Sequence, residues 1–183
     1  GAISPRFRIN LGYEVNETTT AYIQWTGAET WSGGLTEGEG DADFLNGGDE
    51  NGITQAYFST EDLLGMGATW TMGRRYYGIG SGMVIGSDEF LQSPNTFSGA
   101  WVNADIGGQS VEIFGINVDT TAARFIGLST DFCLGDAGSI SPWYLEGTGE
   151  GLDNNADSWL GAEASGSVSS VDWMIDWASK DVV

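Results

Sequence analysis

The chain has 183 residues, the size of one domain, and its 26 acidic against 6 basic side chains, with no histidine, give a formal charge of −20. Six cations exclude a basic nucleic-acid-binding face, and a single cysteine, Cys133, excludes an internal disulfide and a Cys/His zinc site. Eight Trp, eight Phe and six Tyr argue against disorder, 29 glycines without a period of three exclude collagen, and no apolar run is long enough for a membrane helix.

The remaining composition, rich in Gly, Thr, Ser and Trp, favours strands, and period-two alternation locates them. The first predicted strand, about Arg6 to Val15, puts Phe7, Ile9, Leu11, Tyr13 and Val15 on one face and Arg6, Arg8, Asn10, Gly12 and Glu14 on the other. The second, Thr19 to Ala28, opposes Ala21, Ile23 and Trp25 to Tyr22, Gln24 and Thr26. The third, Gly52 to Thr60, opposes Ala56 and Phe58 to Gln55 and Tyr57. Thr60 to Leu64 is the best helical candidate, but Gly65-Met66-Gly67 follows at once and limits it to a turn. The fourth strand, Ala68 to Arg75, opposes Ala68, Trp70 and Met72 to Thr69, Thr71 and Gly73. The fifth, Phe97 to Ile106, opposes Ala100, Val102, Ala104 and Ile106 to Trp101, Asn103 and Asp105. The sixth, Gln109 to Asn117, opposes Val111 and Ile113 to Ser110 and Glu112. The seventh, Ala123 to Leu134, is apolar on both faces, and the eighth, Ser139 to Gly147, is weakened by Pro142. The ninth, Asp157 to Gly166, opposes Leu160, Ala162 and Ala164 to Trp159, Gly161 and Glu163. The tenth, Val171 to Ser179, opposes Val171, Trp173, Ile175 and Trp177 to Asp172, Met174 and Asp176.

The connections alternate in length. Those after the odd-numbered strands are tight, at 16–18, 61–67, 107–108, 135–138 and 167–170. Those after even-numbered strands are mostly long, near 29–51, 76–96 and 148–156; 118–122 is the exception. Such alternation predicts an all-β, antiparallel up-and-down sheet with two different ends. Short turns at one end and long loops at the other, strands of ~9–11 residues and an apolar face edged with aromatics fit a transmembrane β-barrel. The pattern leaves a secreted acidic β-sandwich that binds carbohydrate, or a surface-structural protein with calcium-bridged loops, as alternatives.

Several short motifs carry a family likeness. Gln55-Ala56-Tyr57-Phe58 after an acidic loop, Thr69-Trp70-Thr71-Met72-Gly73-Arg74-Arg75, Asn95-Thr96-Phe97-Ser98-Gly99-Ala100, and Ser158 to Glu163 followed by Val171-Asp172-Trp173 span most of residues 6–179. In order and spacing they resemble the alginate-export-type family of outer-membrane porins. The sequence departs from that pattern at Ser98, where the family favours Asp. The resemblance implies a passive channel in the outer membrane of a Gram-negative bacterium. A lumen for polyanionic alginate needs more cations than six, so the expected solutes are small, hydrophilic, and cationic or neutral.

If the tight turns are periplasmic, the first strand starts and the tenth ends at the outer surface. Because lipid tolerates no unpaired sheet edge, the expected arrangement is part of a larger barrel. The expected lumen-facing residues are Arg6, Arg8, Asn10, Glu14, Tyr22, Gln24, Gln55, Tyr57, Asn103, Asp105, Glu112, Glu163, Asp172 and Asp176, with one of Arg74 and Arg75 facing inward and the other reaching the membrane interface. Arg8, Arg74 or Arg75 opposite carboxylates would set up a transverse field at a constriction. In the acidic loop, Asp41, Asp43 and Asp49 are candidates for a weakly bound calcium, although Leu45 at the third ligand position breaks the EF-hand spacing. No other cofactor is expected. The expected partners are lipid and lipopolysaccharide, small solutes, and a second copy or other envelope proteins, but not nucleic acid. Without histidine or a nucleophile–base pair, no enzyme chemistry is expected.

Overall fold

The computed structural model describes residues 6–28, 51–82, 84–87, 95–118, 123–149 and 156–182. All ten expected strands are present: β1 Arg6–Asn16, β2 Thr19–Ala28, β3 Asn51–Glu61, β4 Ala68–Arg75, β5 Phe97–Ile106, β6 Gln109–Val118, β7 Arg124–Cys133, β8 Ser139–Thr148, β9 Ala156–Val168 and β10 Val171–Val182. The helical candidate reduces to a single 3-10 turn at Leu63–Gly65. Every strand pairs antiparallel with its chain neighbour, in the order β1 to β10, to make one up-and-down sheet. The sheet is not closed: among the described residues β1 pairs only with β2, and β10 only with β9.

The registers put residues of one face opposite each other over most of the sheet, with shifts at Glu14/Asn16 between β1 and β2 and at Gln24/Trp25 between β2 and β3. Asn10 lies opposite Gln24, Gln24 opposite Gln55, Thr71 opposite Trp101, Trp101 opposite Phe114, and Glu163 opposite Asp176. The alternation therefore survives from strand to strand, as a regular pleat requires. Pro142 leaves a local mark. The β7–β8 pairing runs to Ser129 opposite Trp143, lapses where Pro142 offers no N–H, and resumes in the same register at Phe132 opposite Ile140.

The two faces differ in what covers them. On one, Phe7, Ile9, Leu11, Tyr13, Ile126, Leu160, Ile175 and Trp177 all stand exposed, and no second sheet lies over them among the described residues. The other face holds the buried cluster: Phe97, Trp101, Phe114, Ile116, Phe125, Trp143 and Leu145 pack with Tyr77, Ile79 and Ile85 of the β4–β5 connection. Its rings lie on glycines of the next strand. A side chain at Gly127 would collide with the Phe114 ring, and one at Gly161 with the Trp143 indole. These are close approaches that only glycine permits.

Candidate functional site

The β4–β5 connection is the element that builds the site. Its first residues, 76–82, leave β4 at Arg75 and turn onto the polar face. At its start the Tyr76 backbone N–H donates to Gln55 Oε1 on β3 at 3.1 Å, and the Arg8 guanidinium of β1 lies 5.3 Å from the Tyr76 ring centre. Four residues on, Gly80 stands against Trp143 of β8 and Asp176 of β10: a Cβ there would sit 3.1 Å from Trp143 Nε1 and 3.3 Å from Asp176 Oδ2. Ser81 then donates its N–H to Asp176 Oδ2 at 3.0 Å, and its hydroxyl to the same oxygen.

These contacts also determine the shape of the sheet. From Tyr76 to Gly80 the chain spans at most ~14 Å, and about twice that with the Gln55 and Asp176 side chains fully extended. In a flat sheet β3 and β10 would be ~34 Å apart. The sheet therefore curls around this segment, and the polar face is the concave, inner one.

At the centre of the inner face is Tyr77. Its hydroxyl donates to Glu112 Oε1 at 2.6 Å, and its ring packs at 5.0 Å from Phe114 and 5.5 Å from Trp101. Burial pushes the Tyr77 phenol well above its usual pKa, and the Glu112 carboxylate pushes it in the same direction while Arg75 opposes. Arg75 completes the group: its guanidinium lies 4.3 Å from the Trp101 ring centre and 3.8 Å from Glu112 Oε2. One cation thus serves a carboxylate and an aromatic face together, as a planar guanidinium can.

Beside this group is a cleft of about 180 Å³, lined by Tyr77, Gly78, Ile79, Gly80, Glu112, Ser129, Asp131, Ser141, Trp143 and Glu163. It joins three carboxylates to one indole. Asp176 is outside that lining and packs against Gly80.

The expected lumen residues are placed as follows. Asn10 Oδ1 accepts from the Tyr22 hydroxyl at 3.0 Å and from Gln24 Nε2 at 2.8 Å, so β1 and β2 share one polar network. The Tyr22 and Tyr57 rings pack at 5.1 Å. Asn103 accepts from Ser110 at 3.2 Å, and Asp105 caps its turn by accepting the Gly108 N–H at 2.8 Å. Glu14 and Asp172 are exposed on the same face, toward the tight turns. The two arginines separate: Arg75 faces inward, while Arg74 alternates to the face of Trp70 and Met72, so Arg74 does not belong with the inner set. Arg6 has its backbone in β1, but its side chain, like Asp41, Asp43 and Asp49, lies outside the described residues. Among the described residues no group of three acidic or cysteine side chains is arranged to hold a metal ion.

Sequence reasoning treated 76–96 as a long loop and did not assign Tyr77, Ser81, Asp131 or Trp143 to the site. A signal was present. Tyr76-Tyr77-Gly78-Ile79 is too apolar for a loop in water, and alternation already put Phe114 and Ile116 on the face of Glu112. Comparison of the chain with protein-family models, with curated proteins and with solved structures finds no match.

Proposed function

We propose that this chain forms a stretch of transmembrane β-barrel in a Gram-negative outer membrane, related to the alginate-export-type porins, that passes small hydrophilic solutes of cationic or neutral character. The exposed apolar face carries this reading. Leu11 and Ile175 are each 64% exposed and Trp177 53%, on a face that continues across ten strands. Soluble monomers seldom expose contiguous apolar patches beyond a few hundred Å². A sandwich would cover that face with a second sheet, whereas all ten strands here belong to one. Hydrocarbon is the medium that such a face fits, and water on the polar inner face fits a lumen.

The charge supports the solute class. The inner face carries Arg8, Arg75 and Lys180 among described side chains, and Lys180 is drawn to the buried Asp157 at 3.1 Å. Against them stand Glu14, Glu61, Asp105, Glu112, Asp131 and Glu163, besides Asp157, Asp172 and Asp176. An anion entering such a field is repelled and a cation concentrated. The inward β4–β5 segment narrows the passage at the point where Arg75 faces Glu112, so solutes meet charge of both signs there. The test is purification followed by planar-bilayer recording under a salt gradient. The expected results are a requirement for detergent and a cation-selective reversal potential; solubility without detergent, or an anion-selective current, overturns the proposal.

A further inference from the structure

One row of the inner face, from β1 to β4, reads Gly12, Tyr22, Tyr57, Gly73: each lies opposite the next, so two tyrosines stand between two glycines. The two rings pack side by side, with centres 5.1 Å apart and planes tilted by 31°. The Tyr22 ring is held by its hydroxyl, which donates to Asn10 Oδ1 at 3.0 Å and accepts from Gln24 Nε2 at 3.2 Å. Gln24 is buried, and its own side-chain oxygen accepts from the Thr54 hydroxyl at 3.1 Å, so the network is anchored in the wall. On the β1 side the row is open: among the described residues, a Cβ at Gly12 would meet no atom within 4 Å. The space that results is a cleft of about 420 Å³, more than twice the one beside Tyr77. Small-molecule sites occupy about 300–1,000 Å³. The neighbouring row, Glu14, Thr20 and Ser59, forms its rim toward the tight turns. Glu14 is the one charged side chain in the lining among the described residues.

We infer that this cleft binds a neutral sugar, its ring against the Tyr22–Tyr57 wall and its hydroxyls on the rim. The inference rests on the channel reading and names a solute class for it. The lining selects the chemistry. Two tyrosine rings offer a flat apolar surface, and the C–H face of a sugar ring covers such a surface without stranding a polar group. Thr20 and Ser59 hydroxyls donate and accept, the Glu14 carboxylate accepts, and a sugar hydroxyl answers both. An anion is repelled by Glu14. A quaternary ammonium is held best inside a cage of rings on several sides, whereas both rings here belong to one wall. An open-chain polyol brings the hydroxyls but no ring face to stack. Because Asn10 and Gln24 already fix Tyr22, little side-chain freedom remains to be lost when a ligand arrives.

The full chain in detergent would be titrated with maltose, glycerol and choline at neutral pH, followed by saturation-transfer NMR and calorimetry. Maltose is expected to bind saturably and roughly tenfold more tightly than either comparator. Gly12→Leu builds a side chain into the cleft where there is room for one, and is expected to weaken maltose about tenfold with the melting temperature unchanged. Tyr57→Leu keeps apolar bulk but removes the ring face, and is expected to weaken maltose by a similar factor. Glycerol or choline bound as tightly as maltose, maltose binding untouched by both variants, or no saturable binding overturns the inference. Bilayer recording separates the two readings. A cation-selective current that maltose does not block, with no maltose binding in detergent, leaves the channel and removes the site. Saturable maltose binding without conductance does the reverse.

Discussion

Trp101 and Trp177 are the same residue type on strands of the same sheet, yet one is 1% exposed and the other 53%. Hydrophobicity does not separate them. Trp101 faces inward, where the Arg75 guanidinium, the Tyr77 ring and Phe114 cover it. Trp177 faces outward beside Ile175, where no element of the described chain reaches. Burial on the inner face is thus supplied by the chain itself, through the β4–β5 segment and through rings lying on glycines. On the outer face it is left to the surroundings.

The largest test of that contrast is truncation. Trp101→Ala should cost about 3–5 kcal/mol, the usual loss for a buried large aromatic, and Trp177→Ala in detergent well under half of that, both measured by chemical denaturation. Equal losses would break the comparison. Next come charges on the outer face. Leu11→Arg or Ile126→Arg in a bilayer should destabilise by about 2–4 kcal/mol near the midplane, whereas the same changes on a water-exposed surface stay within about 0.5 kcal/mol. Refolding into vesicles with a urea titration distinguishes the two.

A smaller effect tests the inner anchor. Tyr77→Phe removes the donor to Glu112 and leaves the rings in place, so a loss of about 1–2 kcal/mol is expected, together with a larger and noisier single-channel conductance as the segment loosens. An unchanged trace would mean that the segment does not narrow the path. The smallest effect is in alkali. Because the folded Tyr77 phenol titrates above its unfolded value, its contribution is fully present below about pH 10, where unfolded tyrosine titrates. It declines as pH rises beyond that, since the unfolded state releases its proton first. Absorbance at 295 nm should therefore show part of the tyrosine signal, that of Tyr77, withheld above pH ~10 until the protein unfolds. Complete tyrosine ionisation before unfolding would show that the Tyr77 hydroxyl is not buried against Glu112.

Much of the sheet is legible in the sequence because its signals are local. Arg6 to Val15 alternates without a break, and Gly107-Gly108 makes the β5–β6 connection as short as a hairpin allows. Strand limits move by up to three residues, as at the end of β10. The site is less legible. Gln55, Glu112, Glu163 and Asp176 lie on the expected face, but their roles come from groups remote in the chain. Gln55 holds Tyr76 21 residues away, and Asp176 holds Ser81 95 residues away. Arg74 and Arg75 show the limit well. Alternation says that they part, and only the structure, with Arg75 opposite the buried Phe97 and its guanidinium over the Trp101 ring, says that Arg75 is the inward one.

Strand identity, facing and the succession of hairpins follow from the sequence alone, because a pleat repeats every two residues and a tight turn leaves its neighbour strand little choice of partner. The tertiary structure decided what lies inside the curl. It folded residues 76–81 of the β4–β5 connection inward, set Tyr77 against Trp101 and Glu112, and tied Ser81 to Asp176. Those contacts join residues whose separation along the chain leaves no periodic trace, and their energy exists only once the sheet has curved to bring them together.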